Sequence, residues 1–201
     1  SGLEARLGRF YVLGSHDYYQ SRFASYAKYF SGHRSHVNAP KASTPELEAG
    51  LAAHGWQPLI NETTLVNAPA GRIRLTGIDD PYLKRQDVQL IRRDDDEILA
   101  IGLVHTPDVV SEWFLAGFDL VVAGHTHAGQ VRLPLAGALI TNCSLPTALA
   151  SGPHRIGNGW LHVSPGLGTG KFSPLRFNCR PEATVLELVH SSPPRASGRV
   201  G

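Results

Sequence analysis

The sequence predicts a layered α/β fold, on three observations. Residues 98–104 and 119–123 are short, β-branched, nearly uncharged runs of the kind that form buried strands. Between them, residues 107–116 place Val109, Val110, Trp113 and Phe114 on one side of a helix. The chain has 201 residues, 42% apolar and 18% charged, which suffices for one sizeable core. Strands that alternate with helical and loop segments build layers around such a core.

The remaining elements follow in order. Arg9-Phe10-Tyr11-Val12-Leu13 is a short β-like run stopped by Gly14. Residues 18–30 are aromatic with helical character, and residues 32–41 are polar and irregular. Thr44-Pro45-Glu46-Leu47 carries an N-cap, an early proline and an acidic first turn, so a helix runs from there to about His54 and stops at Gly55. Residues 64–66 and 72–78 form a hairpin around Pro69-Ala70-Gly71. The charged run at residues 92–97 reads as a solvated turn, and residues 160–164 and 183–189 read as strands. The tail, residues 191–201, is rich in Ser, Pro, Gly and Arg and reads as disordered beyond a domain of residues 1–190. No internal repeat is visible.

Composition narrows the function. A net charge of +2 without a Lys/Arg block argues against a nucleic-acid binder. No run approaches the ~18 apolar residues of a membrane span, and no signal peptide is visible. Cys143 and Cys179 read as two reduced thiols, with a single disulfide as the alternative.

Three strand ends each deliver histidine: Leu13-Gly14-Ser15-His16-Asp17, Leu103-Val104-His105, and Ala123-Gly124-His125-Thr126-His127. Strand ends of layered α/β proteins meet at a common crevice. Imidazole is a common metal ligand, so His16, His105, His125 and His127 form a candidate metal and acid/base cluster. Asp17 would raise the basicity of His16 and hold its ring. His33, His36, His54, His154, His162 and His190 read as structural or solvated. Asp79 and Asp80 either support the cluster from behind or simply form a turn before Pro81. Gly166-Leu167-Gly168-Thr169-Gly170-Lys171 is not a phosphate loop, because Pro165 and Phe172 stand at required positions; it reads as a flexible turn near the site.

This ordered series resembles the calcineurin-like metallophosphoesterases, most closely a bacterial branch whose last motif continues as GHTHGGQ and then an R-x-P phrase. The phrases Gly77-Ile78-Asp79-Asp80-Pro81 and Phe177-Asn178-Cys179-Arg180-Pro181-Glu182 resemble that branch too. The resemblance runs from about Leu7 to Val189. It implies a four-layer α/β/β/α sandwich and two divalent metal ions, Mn, Fe, Zn or Co, at one edge. It implies a hydrolase that cleaves a phosphate ester or pyrophosphate with a metal-bridged hydroxide. By motif, His127 would bind the first metal and His105 and His125 the second. Ser15 stands where the family has a metal-binding Asn. His16 would contact the phosphate and assist the leaving group, with Asp17 orienting it.

The chain departs from that pattern in three ways. Asp-x-His and Gly-Asp-x-x-Asp, expected before Gly14, are absent from residues 1–13, so the chain reads as a C-terminal portion without the N-terminal strands. Ser15 replaces Asn, and Ala128 replaces Gly, the latter minor unless that position needs a positive φ. The expected substrates are phosphorylated small molecules, nucleotides or lipid-linked compounds, and the expected place is the cytoplasm or the membrane periphery. The isolated chain is expected to have little activity and to expose a sheet edge and apolar surface. The alternative function is a degenerate, non-catalytic family member that binds a ligand or partner. A mononuclear site on His105, His125 and His127 ranks below both.

Overall fold

The computed structural model describes residues 4–20, 41–135, 137–169 and 175–189. The expectations for residues 21–40 and 191–201, and for His33, His36, His190, Gly170 and Lys171, fall wholly or partly outside them.

The protein is a mixed α/β structure around one six-stranded mixed sheet. In chain order its strands are β3 (Glu62–Ala68), β4 (Gly71–Gly77), β5 (Glu97–Val104), β6 (Leu120–Ala123), β9 (Gly152–Ile156) and β10 (Gly159–Val163). Across the sheet they lie β3-β4-β5-β6-β10-β9. The four central strands β4, β5, β6 and β10 are parallel, and an antiparallel hairpin closes each edge. Parallel central strands buried on both faces have near-continuous apolar sequences, and residues 98–104 and 120–123 have that character.

A parallel crossover needs an intervening segment, and between β5 and β6 this is a 3-10 turn (Pro107–Val109) leading into α3 (Val110–Leu115). Its apolar side is as predicted: Val109, Val110 and Trp113 are buried in the core with Ala100, Val104, Val121, Ala123, Leu161 and Val163, and Phe114 packs on that cluster. Gly102 makes the close approach possible, since a Cβ there would lie 2.6 Å from the Trp113 ring.

On the other sheet face, register places Val66, Ile73, Leu75, Leu99, Ile101, Leu103 and Val122 together. These are half-buried. A two-stranded parallel sheet, β1 (Arg9–Tyr11) with β2 (Trp56–Pro58), reaches this side. Leu59 lies so close to Gly77 that a side chain at Gly77 would collide with its backbone. α2 (Thr44–Ala53) leads into β2, and Gly55 ends it at φ +73.

Several sequence expectations need correction. The N-cap of α2 is Ser43 rather than Thr44, whose hydroxyl instead donates to the Asp17 carbonyl. Glu97 is not in a solvated turn: it begins β5, is buried, and pairs with buried Arg74, with Asp94 beside them. His154 lies in β9, a strand that Gly152 and Pro153 concealed in the sequence. Residues 183–189 form no strand. Val185 and Val189 point into solvent, because β-alternation makes a strand only where a partner edge accepts the backbone bonds. Cys143 and Cys179 are free thiols, as expected. No helix among the described residues is long and apolar enough to cross a membrane.

Candidate active site

Three connections bring the histidines to one end of the sheet. After β1, Gly14 opens a single helical turn, α1 (Ser15–Tyr18), which carries Ser15, His16 and Asp17. His105 follows β5 directly, and His125 and His127 follow β6. Parallel β5 and β6 pair Val104 with Ala123, so His105 and the Gly124 turn leave the sheet side by side, and Gly124 N–H donates to the His105 carbonyl at 3.0 Å.

His105 Nε2 and His125 Nδ1 face each other at 3.2 Å, with the rings edge to face. His125 Nε2 lies 3.2 Å from the Asn142 carbonyl. Burial, with the neighbouring His125, His16 and His127, pulls the His105 pKa down to about 3, so its imidazole is neutral at ordinary pH. Gly14 lies flat on this ring, where a Cβ would sit 2.5 Å away. His127 is also pulled below the imidazole range, by burial first and by the Arg176 charge second. His16 is the most open of the four; desolvation of its inner side lowers its pKa, and the Asp17 charge and Tyr19 backbone oppose this.

Asp17 accepts the Gly14 N–H at 2.8 Å, which closes the turn that presents His16. Ser15 is buried, and its hydroxyl donates to Asp80 in a short hydrogen bond. Asp80 is wholly buried, accepts Thr106 Oγ1 at 2.9 Å, and also accepts the Tyr82 N–H. Asp79 accepts the Tyr18 hydroxyl at 2.7 Å and Arg85 Nε at 2.8 Å. Both sequence readings of this acidic pair are therefore realised: it shapes the turn before Pro81, and it ties the residue before His16 to the residue after His105.

The Gly-His-Thr-His loop is held in an unusual backbone. His125, His127, Ala128 and Gln130 all have positive φ, between 49° and 69°. The Ala128 substitution is therefore not minor: at φ 55 it costs about 1–2 kcal/mol relative to glycine. Thr126 holds the strained turn, donating to the Ala150 carbonyl at 2.6 Å and accepting the Ala128 N–H.

Sequence reasoning missed Arg176. Its guanidinium donates to the carbonyls of Pro165, Gly166 and Gly168, and lies 3.3 Å from both His127 Nδ1 and Cys179 Sγ. The glycine-rich turn beside the site is thus clamped rather than loose. An arginine forty-nine residues after His127 carries no local signal of this contact.

The donor chemistry fits a divalent ion in part. Two neutral imidazoles present facing nitrogens, as a shared cation requires. Among the described residues, however, no three His, Cys, Asp or Glu side chains are arranged to hold a metal ion. His127 faces Arg176, and Asp80 and Asp79 are committed to hydroxyls and Arg85.

No family model and no solved structure matches the chain. Curated relatives do. The chain is 34% identical to the uncharacterized metallophosphoesterase YkuE of Bacillus subtilis, over 62% of this chain and 43% of that protein. It is 32% identical to the phosphodiesterase YaeI of Escherichia coli, over 69% of this chain and 50% of that protein. It is 26% identical to the UDP-2,3-diacylglucosamine pyrophosphatase LpxG of Chlamydia trachomatis, over 92% and 66%. The chain spans about half the length of the first two.

Proposed function

The chain belongs to the calcineurin-like metallophosphoesterase family, and we propose that the whole protein hydrolyses a phosphate ester or pyrophosphate with divalent metal ions held at this histidine cluster. The observation that carries the reading is the facing pair His105 and His125, neutral and 3.2 Å apart at the end of two parallel strands. These two would hold one ion. His127 would contribute to a second, and Ser15 could add an oxygen only while its proton stays on Asp80. Divalent ions, when bound, neutralise phosphoryl charge and activate water.

The chain's own residues do the rest. His16 stands at the open side, where an imidazole can donate to a phosphoryl or leaving-group oxygen. Asp17 fixes the turn that aims it. Asp80 holds Ser15 and Thr106 together, so His16 and His105 keep one relative position. The relatives named phosphodiesterase and diacylglucosamine pyrophosphatase favour a diester or a lipid-linked pyrophosphate as substrate. Turnover of a chromogenic phosphodiester by the full-length protein with Mn²⁺, abolished in His125→Ala, is the expected result. Equal turnover in that variant would contradict it.

A second reading is a non-catalytic binding member of the family. It is favoured by the Ser15 hydroxyl already given to Asp80 and by the missing third donor among the described residues. A full-length protein inactive with every divalent metal, and made active by Ser15→Asn, would establish it.

A further inference from the structure

Beside the histidines a small hairpin stands out from the fold. Its strands are β7 (Arg132–Leu133) and β8 (Gly137–Ala138), antiparallel. Side chains alternate across a strand, so the two faces differ. The inner face carries Arg132, which donates to the Ala128 carbonyl at 3.1 Å, and buried Ala138, which lies on Gly129 with no room for a side chain there. This face grips the loop of His127. The outer face, continuing the register, carries Val131, Leu133 and Leu139, all exposed.

Three more apolar side chains extend this surface. Leu135 at the tip is fully exposed. Phe177, 57% exposed, is bridged to Val131, and Leu175, 74% exposed, receives a hydrogen bond from Gln130 at its carbonyl. Six exposed apolar residues next to a charged-substrate site are more than scattered surface hydrophobes.

The charge around them has one sign. From Leu120 to Pro181 the sequence contains no Asp or Glu and five Lys or Arg, although the whole chain carries only +2. Arg180 is exposed three residues beyond Phe177. A protein partner would meet such a surface with mixed polarity. Apolar side chains projecting from a basic, acid-free surround complement an anionic lipid surface instead, with leucines entering the interface and arginines meeting the phosphates.

We propose that the outer face of this hairpin, with Leu175 and Phe177, seats the protein on an anionic phospholipid membrane surface, which brings the histidine cluster to phosphate groups at that surface. The inference goes beyond the hydrolase reading and is measured without turnover, so either can fail alone.

The test is co-sedimentation of the purified chain with vesicles of phosphatidylcholine, with and without phosphatidylglycerol. The wild type should bind the anionic vesicles at least about fivefold better than the neutral ones. Leu135→Asp, at a fully exposed position outside the core, should reduce that binding at least about fivefold with an unchanged melting temperature. Leu135→Phe should keep it, and His125→Ala should leave it intact. No binding to anionic vesicles, or equal binding by Leu135→Asp, would overturn the proposal. A lipid-free dimer that Leu135→Asp converts to a monomer would overturn it too, by assigning the face to a second copy.

Discussion

His105 Nε2 faces His125 Nδ1 at 3.2 Å, and Gly14 lies flat against the His105 ring. The N-terminal turn thus sets where the first imidazole can stand. Gly14 has φ −111°, so alanine fits its backbone without strain and acts only through its Cβ. Gly14→Ala should displace His105, weaken divalent-metal binding by about tenfold and leave the rest of the sheet intact. Isothermal titration with Mn²⁺ beside a circular dichroism spectrum checks both halves.

Asp80 is the buried acceptor for Ser15, Thr106 and the Tyr82 N–H. Removing it leaves three buried donors without their acceptor. Asp80→Ala should destabilise the fold by about 2–4 kcal/mol, while Ser15→Ala, which removes one donor only, should cost less. Urea unfolding of the two variants orders them.

Arg176 closes the glycine-rich turn over His127 through several carbonyls. A lysine has one charge centre and cannot reproduce that fork. Arg176→Lys should therefore behave like Arg176→Ala: amide exchange at Gly166 and Gly168 should quicken in both, by about tenfold for each 1.4 kcal/mol lost. Exchange unchanged in both variants would mean that other contacts hold the turn.

His162 is buried in β10 with neither ring nitrogen hydrogen-bonded among the described residues. Burial first, and His154 after it, lower its pKa, against the opposing charge of Glu182. The unfolded chain binds this proton near pH 6.5 and the folded chain does not. Stability should accordingly fall as pH drops through and below the ordinary imidazole range, and be unaffected by this group above it. His162→Leu should flatten that acid limb and raise stability near neutral pH by about 1–3 kcal/mol, because no unpaired ring nitrogens stay buried. Thermal melts across pH 5–8 compare the two proteins.

Much of this was legible in the sequence because it is local. Residues 98–104 and 119–123 name their strands by composition, and Gly14 and Gly124 mark where the chain turns to expose histidine. The side of the helix that carries Trp113 follows from spacing alone. What was not legible depends on partners far along the chain. Asp80 meets Ser15 across sixty-five residues, and Arg176 meets His127 across forty-nine. Glu97 looked solvated until Arg74 of the neighbouring strand was beside it. Residues 183–189 alternate like a strand, but no neighbouring edge pairs with them among the described residues. The positive φ of Ala128 is likewise set by the Thr126 turn, and only its backbone reveals the cost.

The central claim is that the facing pair of His105 and His125 holds a divalent ion used in phosphoester hydrolysis. The most direct measurement is metal content per chain of the full-length protein and its His105→Ala and His125→Ala variants, after loading with Mn²⁺ and desalting. The account predicts bound metal in the wild type and loss of at least one equivalent in each variant, with the fold retained by circular dichroism. Equal metal content in all three proteins would contradict it.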